Sequence, residues 1–60
     1  MHAQARRGQV LERLRRAGAP VSASALAEAL GVSRQIIVGD VALLRAGGVD
    51  ILATPKGYLL

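Results

Sequence analysis

The sequence has no cysteine, tryptophan or phenylalanine, and tyrosine occurs only once, at Tyr58. The absence of cysteine excludes disulfides and cysteine-based zinc sites, which often stabilise chains of this size. At 60 residues the chain is long enough for one domain only. Hydrophobic residues make up 52% of it, which argues against disorder. The core must therefore be built almost entirely from aliphatic side chains.

Residues that carry out catalysis or bind metals are also few. The only histidine, His2, lies near the amino terminus, and the four acidic residues are scattered over different predicted elements. No serine has a neighbouring base in the sequence, and neither a phosphate-binding glycine loop nor a metal-ligand spacing occurs. We therefore expect no catalytic residue, no metal site and no enzyme activity in this chain.

Positive charge is in excess, since eight Lys and Arg oppose four Asp and Glu and give a net charge of +4. This excess indicates an anionic partner or a contribution to solubility. Five arginines lie in the first predicted helix or the arm before it. For each of them a solvated helix face and a phosphate-binding stripe are comparable interpretations. No apolar run approaches the length of a membrane span and no signal peptide follows Met1, which predicts a cytoplasmic protein without membrane contact.

The spacing of apolar residues predicts three helices. Val10, Leu11, Leu14 and Ala17 recur at helical intervals, which indicates an amphipathic helix over about residues 3–17 that Gly18 ends. Ser22 and Ser33, in this order, are good N-cap residues for the other two helices. A helix of about eight residues follows the first serine, and a third helix, which ends near Ala46, follows the second.

After Gly47 and Gly48 the apolar spacing changes from helical to strand-like. The sequence Thr54-Pro55-Lys56-Gly57 separates two apolar runs and predicts a tight turn in a β-hairpin. A short extended piece is predicted at Val21, before the second helix. The expected fold is α+β, mainly α, with three helices plus a C-terminal β-hairpin.

The segment from Leu26 to Ile37 has the pattern of a helix-turn-helix. Ala27 is small where two helices cross closely, Gly31 suits a positive φ, and Val32 fills the corner. The spacing of these residues matches the spacing expected in a helix-turn-helix, which favours that motif. The alternative is an ordinary helical corner with no role in nucleic-acid binding.

The third predicted helix has an unusually smooth outer face. At 100° per residue, Gln35 and Gly39 lie opposite the buried Ile37, together with two alanines. Such a face fits deep in a major groove, where the first turn of a recognition helix meets base edges. We expect Arg34 to pair with guanine or a phosphate, Gln35 to contact adenine, and Val38 to contact a thymine methyl group. Asp40, near the buried stripe, is expected to pair with an arginine or a backbone group.

The chain from Pro20 to Leu60 resembles the winged helix-turn-helix of biotin-repressor-like regulators, and most closely that of the niacin-responsive transcriptional repressors of NAD biosynthesis. The broad resemblance rests on LAEALGVSR and GVDILATPKGYLL, and the narrower one on SRQIIVGDVALLR and ILATPKGY. It implies that residues 1–60 form the DNA-binding domain of a repressor. It also implies a downstream sensor domain, absent from these residues, that binds nicotinate as co-repressor and a divalent metal. No cofactor is expected in this chain itself.

The resemblance also assigns residues. It places the start of the recognition helix at Ser33 and the wing around the hairpin turn, with Tyr58 as the wing aromatic that packs on the core. Gly39 departs from the longer polar residue usual in relatives, so its glycine indicates either close approach to DNA or helix flexibility. The expected DNA-binding residues are Ser22, Ser33, Arg34, Gln35, Val38, Gly39, Thr54, Lys56 and Gly57.

The expected partner is a double-stranded DNA operator. Because one small module buries little surface, we expect a homodimer of the full-length protein on two half-sites about one helical turn apart. One alternative is the N-terminal domain of a biotin protein ligase or repressor, which has the same GVD and KGY character. The other is a winged helix used for protein-protein contacts through an apolar face that contains Ile36, Val38 and Leu43.

Overall fold

Residues 2–60 are described in a computed structural model. It contains helices α1 (Ala3–Ala17), α2 (Ala23–Leu30) and α3 (Arg34–Ala46), followed by strands β1 (Leu52–Thr54) and β2 (Gly57–Leu59). The two strands pair antiparallel. The predicted α+β fold of three helices and a C-terminal hairpin is confirmed, and its helix bounds agree with the prediction. Across residues 2–60 no helix has the length and apolar character needed to span a membrane.

Serine side chains fix the starts of α2 and α3, as predicted. The Oγ of Ser22 accepts a hydrogen bond from the Ala25 N–H at 3.0 Å. The Oγ of Ser33 accepts one from the Ile36 N–H at 3.2 Å. Each bond satisfies an N–H group that has no partner inside the helix and stabilises the helix by about 1 kcal/mol. Gly31 ends α2 with a φ of 68°, so the corner of the helix-turn-helix forms at the predicted position.

The core lies where the three helices meet and is aliphatic throughout. Ile51, which directly precedes β1, adds a contribution from the wing. Two residues of the predicted apolar stripe of α1 are not buried. Leu11 is half-buried, and Ala17 is exposed because it lies in the final turn of that helix. The buried hydrophobic residues are Val10, Leu14, Ala23, Leu26, Ala27, Ile37, Val41 and Ile51.

Val21 ties the wing to the helices. Its N–H donates to the Tyr58 carbonyl at 2.9 Å, and the Tyr58 N–H donates back to the Val21 carbonyl at 2.8 Å. These two bonds form an isolated bridge beside the hairpin, at the place where an extended piece is predicted. Tyr58 also packs against the core, as expected for the wing aromatic. A two-stranded hairpin is at best marginally stable alone, so this bridge anchors the wing to the rest of the fold.

Asp40 is the one charged residue that is buried within residues 2–60. Arg6 on α1 donates from Nε to Oδ2 at 2.5 Å and from Nη2 to Oδ1 at 2.8 Å. Arg7 brings Nη1 to 3.9 Å from Oδ1. Of the two partners predicted for Asp40, an arginine or a backbone group, the structure shows the arginine.

The ion pair also affects the titration of Arg6. The hydrogen bond to Asp40 raises the pKa of Arg6 above its ordinary value, burial opposes this, and the charge of Asp40 adds to it. A raised pKa favours the folded state at every pH below the ordinary arginine pKa, and this stabilisation is lost only as the pH rises through the raised value. Arg6 therefore makes no contribution to pH dependence near neutrality.

Candidate nucleic-acid interface

The outer face of α3 combines small residues with a polar first turn. Arg34 and Gln35 are exposed in that turn, and Gly39, Ala42 and Ala46 are exposed farther along the helix. A helix with its side chains measures about 10–12 Å across, and the major groove of B-DNA is about 12 Å wide. Because the outer face of α3 has few bulky side chains, the helix backbone can approach base edges closely.

A shallow cleft of about 300 Å³ lies between the wing and the first turns of α2 and α3. It brings together residues from three separate segments of the chain. Two of them, Arg34 and Lys56, are cationic, and none of the described lining residues is acidic. Five of the predicted DNA-binding residues line the cleft, namely Ser22, Arg34, Thr54, Lys56 and Gly57.

The start of α2 adds backbone donors to the cleft. The first N–H groups of a helix lack partners within it, and the helix dipole makes this end attractive to anions. Ser24, in the first turn of α2, also lines the cleft with its neighbours Ala23 and Ser22. Sequence reasoning missed Ser24. Its position in the first turn after a capping serine was the available signal.

Thr54 shapes the turn of the wing. Its hydroxyl donates to the Gly57 carbonyl at 2.7 Å and accepts from the Lys56 N–H at 3.2 Å. The hydroxyl proton is therefore used inside the turn. These bonds fix the backbone from which the Lys56 side chain extends. A direct contact between Thr54 and DNA stays a prediction.

The other four predicted DNA-binding residues do not line the cleft. Ser33 is the exposed cap of α3, and Gln35, Val38 and Gly39 lie on its exposed surface. The predicted set thus divides into a cleft group beside the wing and a helix-face group on α3. The two groups meet at Arg34, which belongs to the first turn of α3 and also lines the cleft.

The arginines of α1 are largely paired with acidic side chains. The two at its start contact Asp40, while Arg16 and Arg15 lie 3.0 Å and 3.9 Å from the Glu12 carboxylate. The pairs with Glu12 are exposed and stabilise the fold little, because water screens them and holding long side chains costs entropy. The contacts with Asp40 give the start of α1 an internal role. Phosphate binding by a stripe along α1 stays a prediction.

Gly39 has open space around it, and an added Cβ would have no atom within 4 Å. We expect Gly39→Ala to raise the free energy of unfolding by up to about 1 kcal/mol, because alanine favours the helical backbone. Chemical denaturation followed by circular dichroism measures this change. If close approach to DNA is the reason for the glycine, the same variant binds DNA more weakly.

The matched control for Gly39 is Gly8→Ala, since Gly8 lies inside α1 and is equally open. It should give a similar gain in stability without weakening DNA binding. Full DNA affinity in Gly39→Ala would contradict close approach and favour helix flexibility as the reason for the glycine.

Comparison with known proteins gives three matches. A family described as HTH domain matches residues 6–59. The chain is 51% identical over 57 residues to the probable transcription repressor NiaR of Thermotoga maritima, an alignment that covers 95% of the chain and 33% of that protein. It is 44% identical over 54 residues to the transcription repressor NadR of Bacillus subtilis, which covers 90% of the chain and 30% of that protein. The chain thus spans about a third of the length of these relatives. The resemblance to transcriptional repressors found in the sequence is confirmed.

Proposed function

Because the chain belongs to the HTH domain family, we propose that it is the sequence-specific DNA-binding domain of a transcription repressor. The observation that carries this proposal is the joining of Arg34 and Lys56 in one cleft beside the exposed outer face of α3. In the proposed complex α3 enters the major groove, and the wing follows the adjacent backbone or minor groove. The domain acts by occupying an operator.

The residues of α3 divide the work of recognition by their chemistry. Gln35 can donate to and accept from an adenine edge, and Val38 can contact a thymine methyl group. Arg34, at the junction with the cleft, pairs with guanine or holds a phosphate. Gly39 leaves room for the DNA to approach α3.

The cleft holds the DNA backbone in this proposal. Lys56 supplies a charge to a phosphate, and the free N–H groups at the start of α2 supply hydrogen-bond donors. Ser22 and Ser33 accept cap bonds through oxygen, so their hydroxyl protons are available to phosphates. Gly57 keeps the wing close to α2, and Thr54 fixes the turn that presents Lys56.

A finer proposal concerns the whole repressor, of which this chain would be one part. We propose that it controls genes of NAD or niacin metabolism, with nicotinate as co-repressor held by a domain outside this chain together with a divalent metal. The names NiaR and NadR are consistent with control of NAD or niacin metabolism, and the description of both relatives as transcription repressors favours a repressor over a biotin protein ligase. The repressor would bind DNA as a homodimer in the cytoplasm. No catalytic step is assigned to this chain.

The test is DNA binding by the 60-residue chain as a function of salt. The probe is a duplex selected by the chain from a randomised library, compared with a scrambled duplex of equal length. The logarithm of the association constant should fall linearly with the logarithm of salt concentration, with a slope of about −0.9 per neutralised phosphate. No binding at low salt would contradict the proposal. It would favour protein-protein contacts through the exposed Ile36, Val38 and Leu43.

In the same assay, Gln35→Ala is expected to relax the preference at one base pair by about 1–3 kcal/mol, because a bidentate contact to one base is lost. Binding to single-base variants of the selected duplex locates that pair. Gln4→Ala, which removes an exposed glutamine from α1, is the control and should leave every preference unchanged. An intact preference profile in Gln35→Ala would show that Gln35 does not contact a base.

A further inference from the structure

Asp40 lies on α3 but faces α1 rather than the proposed DNA surface. It is 3% exposed, whereas Gln35 and Gly39 on the outer face are exposed. Both of its carboxylate oxygens accept hydrogen bonds from Arg6, which is 34 positions away in the sequence. Within residues 2–60 no other helices are joined by side-chain hydrogen bonds.

The two hydrogen bonds from Arg6 to Asp40 depend on direction more strongly than the apolar contacts of the core do. A guanidinium that meets a carboxylate through two parallel N–H···O bonds fixes the relative orientation of both groups. Apolar contacts such as those of Ile37 and Val41 exclude water but depend only weakly on angle. The Arg6–Asp40 pair therefore restrains the rotation of α3 about its own axis against α1.

Rotation of α3 matters because base contacts need accurate placement. A side chain whose tip lies about 5 Å from the helix axis moves by roughly 1 Å when the helix turns by about 10°. A binding constellation must be held within about 0.5 Å of its productive geometry. A small rotation thus misplaces the side chains of the outer face, while phosphate contacts, which tolerate longer reach, persist.

We propose that the Arg6–Asp40 pair is a positioning device that sets the orientation of the recognition helix, so that sequence preference depends on two residues that do not touch DNA. This inference rests on the proposed function. It replaces the phosphate-contact interpretation of Arg6 with an indirect role. The readout that separates positioning from simple stability is the ratio of affinities for the selected and the scrambled duplex.

The test uses Asp40→Asn and Arg6→Lys in the 60-residue chain, at a temperature where circular dichroism shows both variants to be folded. Lysine keeps the positive charge of Arg6 but cannot form two parallel bonds to one carboxylate. We expect the affinity ratio to fall by about tenfold, the equivalent of one well-aligned base contact. In Arg6→Lys, which keeps the net charge, the salt slope and the affinity for the scrambled duplex should stay unchanged, because no phosphate ligand is lost.

Surface residues of α1 provide matched controls. Glu12→Gln is the control for Asp40→Asn, since it neutralises an exposed carboxylate. Arg16→Lys is the control for Arg6→Lys, since Arg16 donates a hydrogen bond to Glu12 on the surface of α1. Both should keep the parent ratio, since neither residue makes an ion pair with α3.

Each possible result supports or overturns the inference. A parent ratio retained in both folded variants overturns the inference alone, and so does an equal loss of affinity for the two duplexes. A parent chain that binds the two duplexes equally overturns the proposed function, and the inference with it. If Asp40→Asn does not fold, the affinity ratio of Arg6→Lys alone tests the inference, because the lysine charge still compensates Asp40.

Discussion

Replacing Ile37 by alanine is expected to lower the free energy of unfolding by about 2–5 kcal/mol. Ile37 is 0% exposed and lies in α3 at the point where the helix-turn-helix packs on α1. The change removes buried methylene and methyl groups and leaves a cavity that rigid neighbours fill only in part. Globular domains have only about 5–15 kcal/mol of stability, and one of this size has less core to spare. Much of the Ile37→Ala population should therefore be unfolded at 37 °C.

The neighbouring residue supplies the control for this prediction. Ile36 has the same side chain in the same helix but is 41% exposed. Ile36→Ala removes the same atoms with little cavity, so we expect a loss below about 1 kcal/mol. Urea denaturation followed by circular dichroism measures both. Equal losses in the two variants would contradict the assignment of Ile37 to the core.

The helix bounds and the corner could be predicted from sequence because they depend on local signals. Ser22 and Ser33 form cap bonds with residues three positions away, and Gly31 adopts its positive φ within a single turn. The buried positions of α3, such as Ile37 and Val41, follow from the repeat of about 3.6 residues that every α-helix has. Two predicted apolar positions of α1 did not become buried, since Leu11 is only half-buried and Ala17, in the final turn where the pattern reaches the end of the helix, is exposed.

The composition of the site could be predicted only in part. Arg34 and Lys56 were each predicted from the sequence, but their meeting in one cleft depends on how the wing folds back on α2. The partner of Asp40 was predicted to be an arginine or a backbone group, and which arginine it contacts depends on the crossing of α1 and α3. Such contacts join distant segments, and no local pattern encodes them.

Gly57 shows how the wing reaches its place. It was predicted to be a DNA-binding residue, but the structure also gives it a packing reason. An added Cβ would lie 2.5 Å from the Val21 carbonyl oxygen and 2.6 Å from the Ser22 N, both backbone atoms. The φ of Gly57 is 137°, a backbone conformation that residues with a side chain rarely adopt. The absence of a side chain therefore lets β2 lie directly against the chain that leads into α2, and this brings Lys56 to the cleft.

Gly57→Ala is accordingly expected to cost about 2–6 kcal/mol, from backbone strain together with the displacement of Val21. The bridge between Val21 and Tyr58 should break first, since its bonds of 2.9 and 2.8 Å require the present spacing. Hydrogen exchange of these two amides measures its opening, and urea denaturation measures the total loss.

Gly48→Ala is the matched control for Gly57→Ala, because Gly48 has a φ of 98° but no atom within 4 Å of an added Cβ. It shares the backbone strain without the collision, so we expect a loss of about 1–3 kcal/mol. The difference between the two variants reports the cost of the close approach alone. Equal losses of unfolding free energy in the two variants would mean that the wing moves to accommodate the methyl group at no cost. The bridge to Val21 would then be too weak to hold Lys56 beside Arg34, and the cleft would be no fixed part of the interface.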